Sequence, residues 1–244
     1  LGRIKIYVHG AQARGINIDG AANMLLHRVR GDWREGMPVQ PPDFRLDLGP
    51  LVAALAAERV MVVGAGGGAE VMQAKLGGAT RIDAVEVNAA LNEMLLAGDQ
   101  AAFFGHLYRS AGVSVQSEDA RAYARRHPGT FDLILSRSAN TFAALSSGAF
   151  ALAENYLFTV EALRDFHRAL TPDGILLIEH QVYVPRLVSA ALEALQGLDR
   201  PELYFAVYDL PTMHRQMLII GRQPLAKTVI DEILPAICTA ADPA

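Results

Sequence analysis

Apolar and polar positions follow two different rhythms along this chain, and the change between them marks its organisation. Over the first 45 residues the rhythm is strand-like. Ile4 to Val8 alternates, Gly15 to Asp19 reads as a second strand closing at Gly20, and Met24 to Val29 reads as a third. A loop rich in proline and charge follows from Gly31 to Asp43, with Pro38, Pro41 and Pro42. From Leu46 onward short apolar runs alternate with helical spacings. Leu46–Ala57 is a short helix with Leu48, Leu51, Val52 and Leu55 on one face. Strands are predicted at Val60–Val63, Ile82–Val85, Val113–Gln116, Phe131–Leu135 and Ile175–Ile178. Helices are predicted at Asn88–Leu96, with Asn88 as its cap, and at Ser117–Arg126, Asn155–Leu170 and Pro185–Leu195. A Thr171-Pro172-Asp173-Gly174 turn ends the long amphipathic helix. Leu203–Tyr208 and Gln216–Gly221 read as two closing strands joined near Pro211. Alternation of this kind implies a mostly parallel sheet with helices on both faces. The chain divides into a β appendage, residues 1–45, and a main α/β domain, residues 46–244.

Composition narrows the class without naming a reaction. The chain has 244 residues, 51% of them hydrophobic and 20% charged, which suits a globular domain with ample core. A net charge of −4 and the absence of a long basic run give no electrostatic case for a nucleic-acid partner. Cys238 is the only cysteine, so no disulfide framework or cysteine-based zinc site is expected. The seven histidines lack ligand spacing, and no metal is expected. No apolar stretch approaches the roughly 18 residues that span a bilayer. The expected setting is cytoplasmic.

The candidate chemistry begins at the first strand of the main domain. Val60–Val63 runs into Gly64, Gly66 and Gly68 at G-x-G-x-G spacing, then a helical segment, then a second strand ending at Glu86 with Val87 beside it. Strand, glycine turn, helix, strand and terminal acid are the parts of a nucleoside-binding βαβ unit, with the acid about 20 residues past the glycines. Glu86 is placed to accept ribose hydroxyls. Glu70, in the first turn after the loop, either faces the donor or favours the helix dipole. Arg137 lies just past the fourth strand, where open α/β sheets bind ligands. It is either an anion contact or a salt bridge, with Ser136, Ser138 and Asn140 lining the same pocket. Glu154 and Tyr156 open the long helix, and Tyr156 either closes over a substrate or packs. His180 and Gln181 end the fifth strand; His180 is a base candidate or a hydrogen-bonded terminus. Arg137, Tyr156 and His180 are thus the catalytic candidates. Phe103, Phe104 and Tyr108 read as a hydrophobic cover near the base.

Taken together, these residues resemble the class I (Rossmann-like) fold of S-adenosylmethionine-dependent methyltransferases, and within it the spermidine synthase-like aminopropyltransferases. Ile18-Asp19-Gly20 matches the family's N-terminal turn, Gly64–Gly68 its glycine loop and Glu86 its ribose-binding acid. Glu118-Asp119-Ala120 matches the turn that holds the adenine amino group. Ala151–Glu161 with Leu170–Ile175 is similar to large membrane-anchored members, which implies that this chain is the soluble part of such a parent. The resemblance implies a seven-stranded sheet with a small N-terminal β appendage, and S-adenosylmethionine or its decarboxylated form as donor. It also implies a small-molecule acceptor and a homodimer formed through the N-terminal β region.

Two positions depart from that family. Its loop carries an aspartate where this chain has Gly67, and an aspartate after the fourth strand where this chain has Ser136-Arg137-Ser138-Ala139-Asn140. An amine nucleophile must lose a proton before attack and wants a carboxylate nearby, whereas Arg137 repels a polyamine. Aminopropyl transfer is what the resemblance implies; methyl transfer from intact S-adenosylmethionine is what the lost acids allow. A non-catalytic, nucleoside-sensing domain of a membrane protein is the alternative from another class. A nicotinamide-dependent dehydrogenase is a third reading, disfavoured by the loop spacing and the closing strand pair.

Overall fold

The computed structural model describes residues 3–18, 22–37, 44–137, 156–180 and 184–241. Three short strands come first: β1 (Ile4–Val8), β2 (Ala13–Ile18) and β3 (Ala22–His27), antiparallel in that order. Asp19 and Gly20 of the predicted turn lie outside the described residues. The second sheet has seven strands in the order β6-β5-β4-β7-β8-β10-β9. These are β4 (Arg59–Val63), β5 (Arg81–Val85), β6 (Val113–Gln116), β7 (Phe131–Arg137), β8 (Leu170–His180), β9 (Phe205–Leu210) and β10 (Arg215–Gly221). The five from β6 to β8 pair in parallel, while β10 runs antiparallel to both β8 and β9. This is the seven-stranded, mostly parallel sheet with a small antiparallel appendage that the sequence implies.

The helices among the described residues are α1 (Gly49–Ala54), α2 (Ala69–Leu76), α3 (Ala89–Leu96), α4 (Gly98–Phe103), α5 (Ala120–Arg126), α6 (Val160–Ala169), α7 (Val184–Ala194) and α8 (Leu234–Ala241). They divide the core into two buried clusters, one on each face of the sheet. Val60, Val62, Leu133, Leu135, Ile175 and Leu177 face α1, α2, α3 and α8. Met61, Val63, Ile134, Leu176 and Ile178 face α5, α6 and α7. Strands buried on both faces read as continuous apolar runs, which is why these were visible in the sequence. The N-terminal sheet joins the first cluster through Ile16, Leu26, Val29 and Trp33. It is therefore packed into the core rather than hung from it.

Several boundaries differ from the sequence reading: α1 spans Gly49–Ala54 rather than Leu46–Ala57, β2 begins at Ala13 and β3 at Ala22, and β7 runs on to Arg137. Three further differences have a local reason. α6 begins at Val160 because the Thr159 hydroxyl accepts the Ala162 N–H at 3.2 Å, so Tyr156–Phe158 forms a separate 3-10 turn. α5 begins at Ala120, capped by Asp119. The Thr171–Gly174 turn survives inside β8 as a large bulge. Phe131 pairs with Leu170 and Leu133 with Ile175, so the one residue between them on β7, Asp132, faces four on β8. Gly174 fits there because a Cβ would stand 2.7 Å from the Phe131 carbonyl oxygen. Beyond the last predicted strand, a π-helical turn (Val229–Ile233) leads into α8, which packs on α1 and β9. Among the described residues no helix is long and apolar enough to cross a membrane.

Candidate functional site

Strand order reverses between β4 and β7, so their carboxyl ends open a crevice where ligands bind in such sheets. The glycine loop lies on one side of it. Gly64, Gly66 and Gly68 have φ of 67°, 45° and 78°, a left-handed backbone that disfavours any side chain. Gly64 and Ala65 donate to the Val85 carbonyl at 2.8 and 3.1 Å, which ties the loop to β5. Packing closes the loop from outside. A Cβ on Gly66 would meet Met24 Sδ at 3.0 Å, and one on Gly68 would meet Leu107 Cδ2 at 3.0 Å and Tyr108 Cε1 at 3.3 Å. On Gly67 it would stand 2.3 Å from the backbone oxygen of Leu25 in β3. Tyr108 donates to the Gly66 carbonyl at 2.8 Å from full burial. Burial, then the charges of Glu86 and Glu70, hold its pKa well above the ordinary value. Tyr108 and Phe104 therefore brace the loop, and Phe103 carries the Arg14 guanidinium 4.1 Å above its ring.

Glu86 sits just beyond the tip of β5, 9% exposed. One carboxylate oxygen accepts the Gly66 N–H at 3.3 Å and the other the Asn88 N–H at 2.9 Å. Burial raises its pKa, opposed by those backbone bonds and one from Val87. Asn92, absent from the sequence reading, donates to the Glu86 carbonyl at 3.3 Å and to Ser117 Oγ at 2.9 Å. It thereby joins the ends of β5 and β6. Asn88 caps α3 as predicted, accepting the Leu91 N–H at 3.2 Å. The Val87 side chain is 73% exposed. Asp119 accepts the Ala122 N–H at 2.7 Å as the cap of α5, with Ala120 buried behind it, and Glu118 is ion-paired with Arg126.

On the other side of the crevice is a charged cluster that the sequence only half revealed. Arg137, the last residue of β7, donates through Nε to Glu179 Oε2 at 2.8 Å. Its Nη1 stands 3.0 Å from Glu70 Oε1 in the first turn of α2. The other oxygen of Glu179 accepts from Arg215 Nη1 at 2.6 Å. Arg137 and Glu179 are register partners on adjacent strands, and Arg215 lies two residues before Met217, the partner of Glu179 on β10. Their alternation sets all three side chains on the sheet face that carries α2. The Glu179 side chain is 1% exposed, while those of Arg137 and Glu70 are 15% and 16% exposed. Burial disfavours the Arg137 cation, yet Glu70 and Glu179 outweigh it and raise its pKa. Arg137 is thus a half-buried ion-pair centre rather than a solvated surface one. Glu179 was legible as the one acid in an apolar strand, ILLIEH, and was passed over.

The opposite face of the same strand ends carries Ser136 and His180. Ser136 is 2% exposed, and its hydroxyl has no hydrogen-bond partner among the described residues. His180 stands edge-on to Phe158 with ring centroids 5.4 Å apart. Burial, then the Arg215 cation, lowers its pKa against the pull of Glu179, so it is neutral at neutral pH. Tyr156 lies in the 3-10 turn rather than in α6. Ser138, Asn140, Glu154 and Gln181 lie outside the described residues. No cluster of three or more metal-ligating side chains occurs among the described residues.

No protein-family model matches the chain, and no curated protein matches it. Its fold is nevertheless shared with solved structures. A spermidine synthase in complex with the transition state analogue AdoDATO superimposes with a TM-score of 0.61 at 13% identity, covering 100% of this chain and 81% of that one. A probable spermidine synthase from Corynebacterium glutamicum gives 0.64 at 19% identity, covering 97% and 82%. Human methyltransferase-like protein 13 in complex with SAH gives 0.53 at 18% identity, covering 81% and 87%. The chain has the class I methyltransferase fold in its spermidine synthase-like form.

Proposed function

We propose that this chain is a group transferase whose donor is an adenosyl sulfonium compound bound between the glycine loop and Glu86. The observation that carries this reading is Glu86 itself. A buried carboxylate with a raised pKa stands at the strand tip and reaches the Gly66 N–H of the loop. The residues present suit a nucleoside: the left-handed Gly64, Gly66 and Gly68 let the loop backbone turn close to a ligand, Glu86 can accept ribose hydroxyls, and Asp119 with Glu118 and Ala120 lies at the adenine end. Val87, at the exposed edge, and the buried Ser136 complete the set. When bound, the donor supplies an alkyl carbon made electrophilic by positive sulfur. The protein's share is orientation and exclusion of water, with Tyr108 holding the loop rigid from beneath.

The acceptor is a small molecule other than a polyamine. A polyamine needs acidic walls and a carboxylate to draw off its proton. Among the described residues, the carboxylates at the acceptor side, Glu70 and Glu179, are both paired with guanidinium groups. The loop position next to them has no room for a side chain. His180, kept neutral by burial, is the group at this edge suited to accept a proton, with Tyr156 in the turn leading to α6. Transfer of methyl from intact S-adenosylmethionine fits this site better than aminopropyl transfer. The test is calorimetric titration with methylthioadenosine and S-adenosylmethionine on the wild type and on Glu86→Ala. Binding that is lost in the variant supports the reading, and no binding by the folded wild type refutes it.

A second reading, a nucleoside-sensing domain without turnover, is favoured by that same pairing of both acids. Donor binding with no product from any acceptor offered, as measured by release of the demethylated donor, would decide for it.

A further inference from the structure

We infer that the Glu70–Arg137 ion pair is the receptor for the amino-acid end of an intact, zwitterionic donor. The donor's α-carboxylate pairs with Arg137 and its α-ammonium with Glu70. The inference rests on the donor reading above and adds which donor is taken and which side chains select it.

The pair is placed for this role by the strands that carry it. Glu70 follows the glycine loop in the first turn of α2, and Arg137 ends β7, the strand beside β4. Their 3.0 Å contact therefore spans the crevice at the point where strand order reverses. Both side chains keep some exposure, 15% and 16%, so an entering ligand can reach them, whereas Glu179 at 1% is closed to it. Glu179 grips Arg137 through Nε at 2.8 Å, which leaves the Nη1 side to exchange one carboxylate for another without moving the guanidinium.

Charge decides between the possible donors. Glu70, Arg137, Glu179 and Arg215 sum to zero, and a zwitterion keeps that sum. A decarboxylated tail adds one positive charge beside Arg137 in a partly dry site, with no carboxylate of its own to take the place of Glu70 on the guanidinium. Gly67 adds nothing in opposition. No carboxylate stands there to repel the donor's own, and the Leu25 carbonyl leaves no space for one.

The test is calorimetry with S-adenosylmethionine, decarboxylated S-adenosylmethionine and methylthioadenosine on the wild type, Arg137→Gln and Glu70→Gln. Methylthioadenosine has no amino-acid tail, so it reports the nucleoside pocket and the folding of each variant. The wild type is expected to prefer the intact donor by about tenfold or more. Arg137→Gln should abolish that preference by weakening the intact donor alone. Glu70→Gln should weaken both tailed donors and spare methylthioadenosine. Equal affinity of the wild type for the two donors, or an undiminished preference in Arg137→Gln, overturns the inference while methylthioadenosine binding keeps the nucleoside site. Failure of methylthioadenosine to bind the wild type overturns the donor reading itself.

Discussion

Replacing Gly67 by alanine adds a single methyl group and should cost far more than a surface methyl does. The new Cβ would stand 2.3 Å from the carbonyl oxygen of Leu25 and 3.1 Å from its carbonyl carbon. Restoring ordinary contact requires a separation of roughly 1 Å between the glycine loop and β3. Neither side yields easily. The loop is hydrogen-bonded to β5 and braced by Tyr108, and β3 is paired along β2 and anchored by the buried Leu26. Overpacking of a tight site costs about 1–3 kcal/mol, and a backbone obstacle belongs at the upper end of that range. At about 2–3 kcal/mol, a domain of this size should lose about 4–12 °C of Tm. Urea melts of the wild type, Gly67→Ala and Gly67→Asp, with m-values compared, measure it directly. The aspartate carries the same Cβ and adds a carboxylate beside Glu70, so it should be no more stable than alanine and should not create polyamine transfer. If Gly67→Ala lies within about 0.5 kcal/mol of the wild type, the claim that β3 closes this position is wrong.

Four further outcomes follow from the same geometry. Glu179→Ala leaves the Arg137 and Arg215 guanidinium groups without the carboxylate between them and should cost about 3–5 kcal/mol in urea melts; a loss below about 1 kcal/mol would mean the trio is solvated. His167 has its pKa pushed down from the ordinary 6.5 to about 4 by burial and the Arg222 cation. Its contribution is therefore complete above pH 6.5 and lost as pH falls toward 4, by about 2 kcal/mol after allowance for solvent; His167→Gln should flatten that acid limb, and an unchanged slope refutes the assignment. Glu86 must be ionised to accept ribose hydroxyls and burial raises its pKa, so nucleoside affinity should fall on the acid side sooner than an ordinary glutamate dictates. Calorimetry of the wild type across pH checks it, and an affinity that stays flat down through the ordinary glutamate range refutes it. Asp119→Ser keeps an α5 cap but removes the carboxylate, so stability should hold within about 0.5 kcal/mol while methylthioadenosine binding weakens; unchanged affinity would leave Asp119 a cap alone.

The parts of this molecule that were legible in the sequence are those fixed by local rules. Double-sided apolar runs gave the central strands, and left-handed glycines gave the loop. Asn88 gave a cap that the structure keeps. The antiparallel closing strands were legible because Pro211 interrupts two apolar runs, and a 3-10 turn stands there. What escaped depends on contacts distant in sequence. Tyr108 reaches Gly66 from 42 residues away, and Arg137 meets Glu179 from 42. Neither spacing has a period that could mark it. The start of α6 was placed early because the helical spacing continues through Tyr156–Phe158, while Thr159 ends the argument with a cap. The C-terminal π-turn and α8 were missed because Pro235 sits at a point where an isolated helix would be discouraged, and packing on α1 and β9 overrides that preference.

The two positions that depart from the spermidine synthase-like pattern are each closed to an acid by their own neighbours. An acid at Gly67 is excluded by β3, and an acid at Arg137 is excluded by its neighbours. With Glu70, Glu179 and Arg215 unchanged, Arg137→Asp takes the cluster from zero to −2 and sets three carboxylates around the end of β7. Carboxylates crowded in a partly dry site cannot all stay ionised, so the variant should take up protons at neutral pH or open the strand end. Hydrogen exchange would show this as lost protection in β7 and β8 near Arg137, and bound polyamine would restore it only if the site were a hidden polycation pocket. Protection regained with spermidine would therefore reverse the acceptor assignment. Protection regained only at acid pH would mean that the cluster was built around its arginine.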